Sequence, residues 1–241
     1  MVSTVIAVDT PQGPGRLFLD AADHPNSILV LGHGAGGGVG AIDLELLAHN
    51  LPAVGTSVVR FEQPWRTAGR KVGAPPAKLD EAWCAALDWL VDQEWAQHQL
   101  LVGGRSAGAR VACRTAPHTK PAAIVCLAFP LHLPGRPEKS RVAELLAPVV
   151  PRLVMQGNKD SFGTPEEIRA AIGNAPGISV VELPGSDHGF RIVGARSAAS
   201  GASSKRTQTA KSRPLSPAEL RTTVVAEVSR FIGAVAGIST S

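Results

Sequence analysis

Gln99–Arg110 reads QLLVGGRSAGAR. An apolar run, Leu100-Leu101-Val102, ends in two glycines, and Ser106 follows between Gly104 and Gly108 as G-x-S-x-G. Beyond it Ala107, Ala109, Val111 and Ala112 recur at short helical spacing until Pro117 closes the segment. The reading is strand, sharp turn, helix, with a serine at the apex. So tight a turn leaves no room for side chains two residues either side of the serine, and glycine at both places is the steric answer. The helix that follows aims its N-terminus at the serine.

The pattern spreads outward from this turn. Upstream, Thr4–Val8 and Arg16–Leu19 predict two short strands joined through Pro11, Gly13, Pro14 and Gly15. Ser27–Leu31 is a solid apolar run, as a strand buried on both faces should be. It ends at His33-Gly34-Ala35-Gly36-Gly37-Gly38. Ile42–Ala53 predicts a helix with Ile42, Leu46 and Leu47 inward. Ser57–Phe61 predicts the next strand, and the stretch from Glu62 to Pro76 reads as an exposed loop. Lys78–Ala96 carries Leu79, Trp83, Ala86, Leu87, Leu90 and Val91 at helical spacing. Downstream, Ala122–Ala128 predicts a strand, Phe129–Arg136 a loop and Glu138–Leu146 a short helix. Arg152–Gln156 and Ile178–Leu183 predict the last two strands. Thr164-Pro165-Glu166-Glu167 and Ser216-Pro217-Ala218-Glu219 share one helix-start signature, with a hydroxyl cap, proline first and glutamate three after the cap. Strands alternating with helices predict an α/β fold, a mostly parallel central sheet covered on both faces.

Composition sets the outer bounds. A chain of 241 residues, 44% hydrophobic and 18% charged, suits one soluble α/β domain over 1–241. No apolar run is long enough to span a membrane, and the N-terminus lacks a charged region ahead of an apolar core, so no membrane association and no secretion signal are expected. Cys84, Cys113 and Cys126 are far apart in apolar surroundings, which predicts reduced thiols, a cytoplasmic location and no metal site. Residues 194–214 hold Arg196, Lys205, Arg206, Lys211 and Arg213 and no acid. Those five cations exceed the chain's net +4, so the remainder carries −1, which argues against nucleic-acid binding. The same segment, rich in Ser, Ala, Gly and Thr, reads as a disordered insertion.

A serine hydroxyl is a weak nucleophile until a base takes its proton, and the base needs an orienting acid. In open α/β sheets reactive groups gather beyond the carboxyl ends of strands. Asp160 follows the strand Arg152–Gln156, and His188 follows Ile178–Leu183. The order Ser106, Asp160, His188 is the chain order of an α/β-hydrolase triad. Asp187 competes as the acid, but adjacent residues on a loop point apart, which favours Asp160. Among the other histidines His132, on the loop after Ala122–Ala128, ranks second. For a developing oxyanion, the N–H of Ala107 is one expected donor. The glycine-rich loop after Ser27–Leu31 supplies the other, with Ala35 favoured over Gly34 or Gly36. That loop lacks the G-K-[ST] ending of a phosphate loop and a well-placed acid for a dinucleotide, so no cofactor is expected.

With these residues in hand the chain resembles the α/β-hydrolase superfamily. Within it, the chain is similar to the dienelactone-hydrolase-like group and in particular its testis-expressed-protein-30-like branch. The resemblance rests on LGHGAGG (31–37), RFEQPW (60–65), GGRSAGAR (103–110), AFPLHLPGRPEK (128–139), QGNKDSFG (156–163) and GSDHGF (185–190). It implies Ser106 as nucleophile, Asp160 as acid, His188 as base and the FPLH loop near the pocket. Dienelactone hydrolases proper use a cysteine nucleophile, where this chain has Ser106. Only 129–151 separates Ala122–Ala128 from the next strand, too little for a cap domain. The expectation is a metal-free serine hydrolase acting on an ester or thioester of a small to medium acyl substrate. Trp65 and His132 are candidate substrate contacts. Arg66, Arg70, Lys71 and Arg136 on the same loops suggest an anionic substrate. A non-catalytic scaffold or binding subunit on the same fold is the competing expectation.

Overall fold

In the computed structural model, which describes residues 3–93, 97–193 and 213–237, the predicted strands join one sheet. They are β1 (Thr4–Thr10), β2 (Gly13–Asp20), β3 (Ser27–Gly32), β4 (Thr56–Glu62), β5 (Gln99–Arg105), β6 (Ala123–Leu127), β7 (Arg152–Gly157) and β8 (Ile178–Leu183). Their spatial order is β1-β2-β4-β3-β5-β6-β7-β8. The β1–β2 and β2–β4 pairs are antiparallel and the rest are parallel. The helices are α1 (Ile42–Asn50), α2 (Pro64–Thr67), α3 (Pro76–Val91), α4 (Ala107–Thr119), α5 (Val142–Leu146), α6 (Pro165–Ile172) and α7 (Pro217–Ala236).

Strand side chains alternate between two cores. Ile28, Val30, Val102, Ile124 and Val154 pack with α3 and α4, while Leu29, Leu31, Leu101, Val125 and Leu153 pack with α1 and α7. Burial on both faces explains why these strands read as unbroken apolar runs. The chain leaves β3 toward β4 on one side and returns to β5 on the other. At this switch point the loops after β3 and β5 part to opposite faces, and a crevice opens between them. The fold thus sets the glycine-rich loop beside Ser106.

Both predicted caps form as full capping boxes: Glu167 N donates to Thr164 Oγ1 and Glu219 N to Ser216 Oγ, with the reciprocal carboxylate bonds present. Between β6 and β7, all described, lies one short helix, α5, and no cap domain. No helix among the described residues is long and apolar enough to cross a membrane.

Several local expectations change. The first hairpin turns at Pro11-Gln12, and Gly15 lies within β2 opposite Val8. Phe61 fills the space a side chain there would need. Ile42 is 63% exposed, while Leu47 is buried as expected, together with Asp43, Leu44 and Ala48. The stretch after β4 is not all loop, because Pro64–Thr67 forms α2 with Pro64 and Trp65 buried. Helix α4 runs through Pro117 to Thr119 and ends at Lys120, whose φ is 45°. The expected insertion lies outside the described residues apart from Arg213 and Pro214, and α3 ends at Val91 with Asp92 as its cap, short of the predicted end at Ala96.

Candidate active site

Ser106 sits at the apex with φ 52° and ψ −110°, a conformation non-glycine residues rarely adopt, which costs about 1–3 kcal/mol. What enforces it is the approach of β3. A Cβ on Gly104 would lie 2.4 Å from the Gly32 carbonyl oxygen, and one on Gly108 would lie 2.2 Å from the same atom. Neither position accepts alanine without moving β3. The Ser106 N–H donates to the Leu127 carbonyl at 2.9 Å, tying the turn to β6.

The loops after β7 and β8 come together in the same way. A Cβ on Gly157 would meet the Ser186 carbonyl oxygen at 2.3 Å, so glycine there lets the His188 loop close on the Asp160 loop. His188 Nδ1 lies 2.7 Å from Asp160 Oδ2, and Nε2 lies 3.0 Å from Ser106 Oγ. With the carboxylate as acceptor, Nδ1–H donates to Asp160 Oδ2, which leaves the Nε2 lone pair facing the serine hydroxyl. Asp160 is fully enclosed, and its carboxylate is held by three donors. Phe162 N–H bonds Oδ1, while Gln156 Nε2 and His188 Nδ1 bond Oδ2. The Phe162 ring stacks on the imidazole at a centroid distance of 4.2 Å. Asp187, the rival acid, accepts instead from the N–H groups of Gly189 and Arg191 and so shapes the loop that carries His188.

The glycine-rich loop turns at Gly34–Gly37, where the Gly37 N–H donates to the Gly34 carbonyl. The N–H groups of Ala35 and Ala107 have no intramolecular partner among the described residues. A Cβ on Gly34 would lie 3.5 Å from that of Ser106, so this loop packs over the serine. His33 fixes the loop from below: Gln63 N–H donates to its Nε2, and its Nδ1 donates to the Gly34 carbonyl. Burial lowers the His33 pKa below the usual imidazole range, outweighing that carbonyl and the neighbouring Glu62. His33 is thus a neutral strut.

A groove of about 450 Å³ opens on this centre, lined by the Gly34–Gly37 turn, Ala41, Ile42, Arg105, Ser106, His188, Phe190 and Arg191. The expected walls differ. Trp65 does not line this groove but packs edge-on against His33, with ring centroids 5.5 Å apart. His132 is turned away and buried, with Nδ1 on the Leu133 carbonyl and Nε2 facing Glu167 at 3.6 Å. Arg66, Arg70, Lys71 and Arg136 are also absent from the lining, where Arg105 and Arg191 stand instead.

Arg105 and Asp43 escape a motif reading. Arg105 donates to the His188 carbonyl at 2.6 Å and 3.2 Å, and its Nε faces the Asp43 carboxyl at 3.6 Å. This ties the loop bearing the histidine to the residue before the serine. Burial pushes the Asp43 carboxyl above the usual carboxylate range, and Arg105 opposes that shift. The signal available in the sequence was an arginine inside an otherwise small-residue turn.

A serine in a strained strand-to-helix turn, hydrogen-bonded to a histidine that an enclosed aspartate orients, thus stands at the carboxyl ends of a mostly parallel sheet. The chain belongs to the alpha/beta hydrolase domain family, whose model matches residues 25–214. Three solved structures share the fold. An α/β serine hydrolase without a lid from Xanthomonas campestris is 21% identical, with 96% of this chain and 95% of that one covered at a TM-score of 0.67. An α/β serine hydrolase homologue from Coxiella burnetii is 22% identical, with 95% and 98% covered at 0.70. Dienelactone hydrolase from Anabaena variabilis is 17% identical, with 96% and 97% covered at 0.67.

Proposed function

We propose that this chain is a serine hydrolase that cleaves an ester or thioester of a small to medium acyl substrate through an acyl-Ser106 intermediate. The observation that carries the proposal is the unbroken chain of contacts from Ser106 Oγ through His188 to Asp160 Oδ2, at 3.0 Å and 2.7 Å. His188 Nε2 takes the hydroxyl proton as Oγ attacks the carbonyl carbon. The N–H groups of Ala107 and Ala35 receive the oxyanion. Collapse expels the alcohol or thiol, which leaves with the proton from Nε2. A water deprotonated by the same nitrogen then releases the acid and restores Ser106. The LGHGAGG, GGRSAGAR and AFPLHLPGRPEK motifs support membership of the testis-expressed-protein-30-like branch, and three free cysteines fit a reducing, cytoplasmic setting.

A fluorophosphonate probe tests the proposal. The purified protein is expected to take one probe per chain, mapped to the peptide holding Ser106, and Ser106→Ala to take none. No labelling of the native protein returns the scaffold reading, and labelling at another residue contradicts the assignment of Ser106 as the nucleophile.

A further inference from the structure

Behind the glycine-rich loop lies a second, much smaller space. About 10 Å³, room for one water molecule or a methyl group, is lined by Ala35, Trp65, Leu79, Trp83, Ala107 and Val111 among others. It touches both residues whose N–H groups would hold the oxyanion, and it shares Gly34 and Ala35 with the groove at Ser106. Its deep walls are apolar and rigid, since Trp83 is fully buried and Val111 is on α4. On its far side is a third cavity of about 320 Å³, lined by Pro64, Arg70, Val72, Ala74, Pro75 and Lys78 among others. The small space and this outer cavity share three residues, Gln63, Trp65 and Gly73. Gln63 is held by its N–H on His33 and its Nε2 on the Leu79 carbonyl. Gly73 has no side chain. The Trp65 indole, 6% exposed on α2, is the largest side chain of the three and lines both spaces.

Resting on the reading of Ser106 as an acyl acceptor, we infer that the small space is the acyl subsite and that Trp65 sets its length. A carbonyl whose oxygen lies between the N–H groups of Ala35 and Ala107 stands where the small space meets the groove. The substituent that fits the small space is a methyl or little more, and the leaving group has the open groove. The substrate class is therefore short-acyl esters or thioesters, acetyl above all, of a larger alcohol or thiol. The outer cavity is an extension that the indole closes off.

The test is kcat/KM on p-nitrophenyl acetate, butyrate, hexanoate and octanoate for the native protein, Trp65→Ala and Val111→Ala. The native protein should favour acetate over octanoate by about 100-fold or more. In Trp65→Ala the small space joins the outer cavity, and the acetate-to-octanoate ratio should fall to within about tenfold. Val111→Ala deepens the small space with Trp65 in place, so butyrate should gain on acetate while octanoate does not. It decides the matter should Trp65→Ala fail to fold. Equal turnover of octanoate and acetate by the native protein overturns the inference, as do variants that scale every ester by one factor. If the native protein hydrolyses none of the four, the hydrolase reading itself fails, which is a distinct result.

Discussion

Ser106→Ala is expected to lower kcat for p-nitrophenyl acetate by about 10⁴-fold or more, leaving only what the oxyanion donors contribute. The hydroxyl is the one atom removed, and alanine meets the same backbone demand at φ 52°, so the variant should fold as the parent does. His188→Ala should fall as far. Because the two residues act as a unit, the double variant should be scarcely worse than either alone. Steady-state kinetics on the three proteins, with circular dichroism as the folding control, reads this directly. Losses that multiply would mean that Ser106 and His188 do not share a step.

Asp160→Asn should lower kcat by about 10⁴-fold with little change in KM. The carboxylate accepts on both oxygens, from Phe162 N–H on one and from Gln156 Nε2 and His188 Nδ1 on the other. An amide cannot serve both sides. Its NH₂ group faces either the Phe162 N–H or two donors at once, and an unmatched buried pair costs about 1–3 kcal/mol. When the NH₂ group faces His188, the imidazole is driven to present its lone pair at Nδ1 and its proton at Nε2, the wrong tautomer for taking a proton from Ser106. Asp187→Asn is the control. One oxygen of Asp187 accepts both of its backbone bonds, and an amide oxygen can do the same. Turnover there should stay within about tenfold of the parent. The reverse ranking would make Asp187 the acid.

The fold was legible because strand burial and strand order both leave marks in one dimension. Runs such as Ser27–Leu31 announce burial on two faces, and β–α alternation announces a parallel sheet. The serine turn was legible because Gly104 and Gly108 answer a steric demand, which the structure traces to one atom, the Gly32 carbonyl oxygen. That Asp160 and His188 would come together could be read from their places after successive strands. Side-chain direction could not. Ile42 opens α1 and by spacing belongs inside, yet it lines the groove while Asp43 and Leu44 beside it are buried. Trp65 reads as part of a loop, but Pro64 starts a short helix that sets the indole edge-on to His33, off the groove at Ser106 and against the small space beside it. His132 follows a strand that ends at the site, but its ring is turned toward α6, where Glu167 faces it. The Arg105–His188 link joins residues far apart in sequence through a backbone carbonyl, and a carbonyl has no identity in the sequence to point to it.

The central claim is a covalent acyl-Ser106, and rapid acid quench followed by mass spectrometry tests it most directly. Native protein mixed with p-nitrophenyl acetate and quenched during the first turnovers should carry one acetyl group on the peptide that contains Ser106, accumulating with a burst of p-nitrophenol. The adduct should be absent from Ser106→Ala and should decay as substrate is exhausted. Turnover with no acetyl on that peptide at any quench time, or an acetyl found on another residue that turns over at the steady-state rate, would contradict the account.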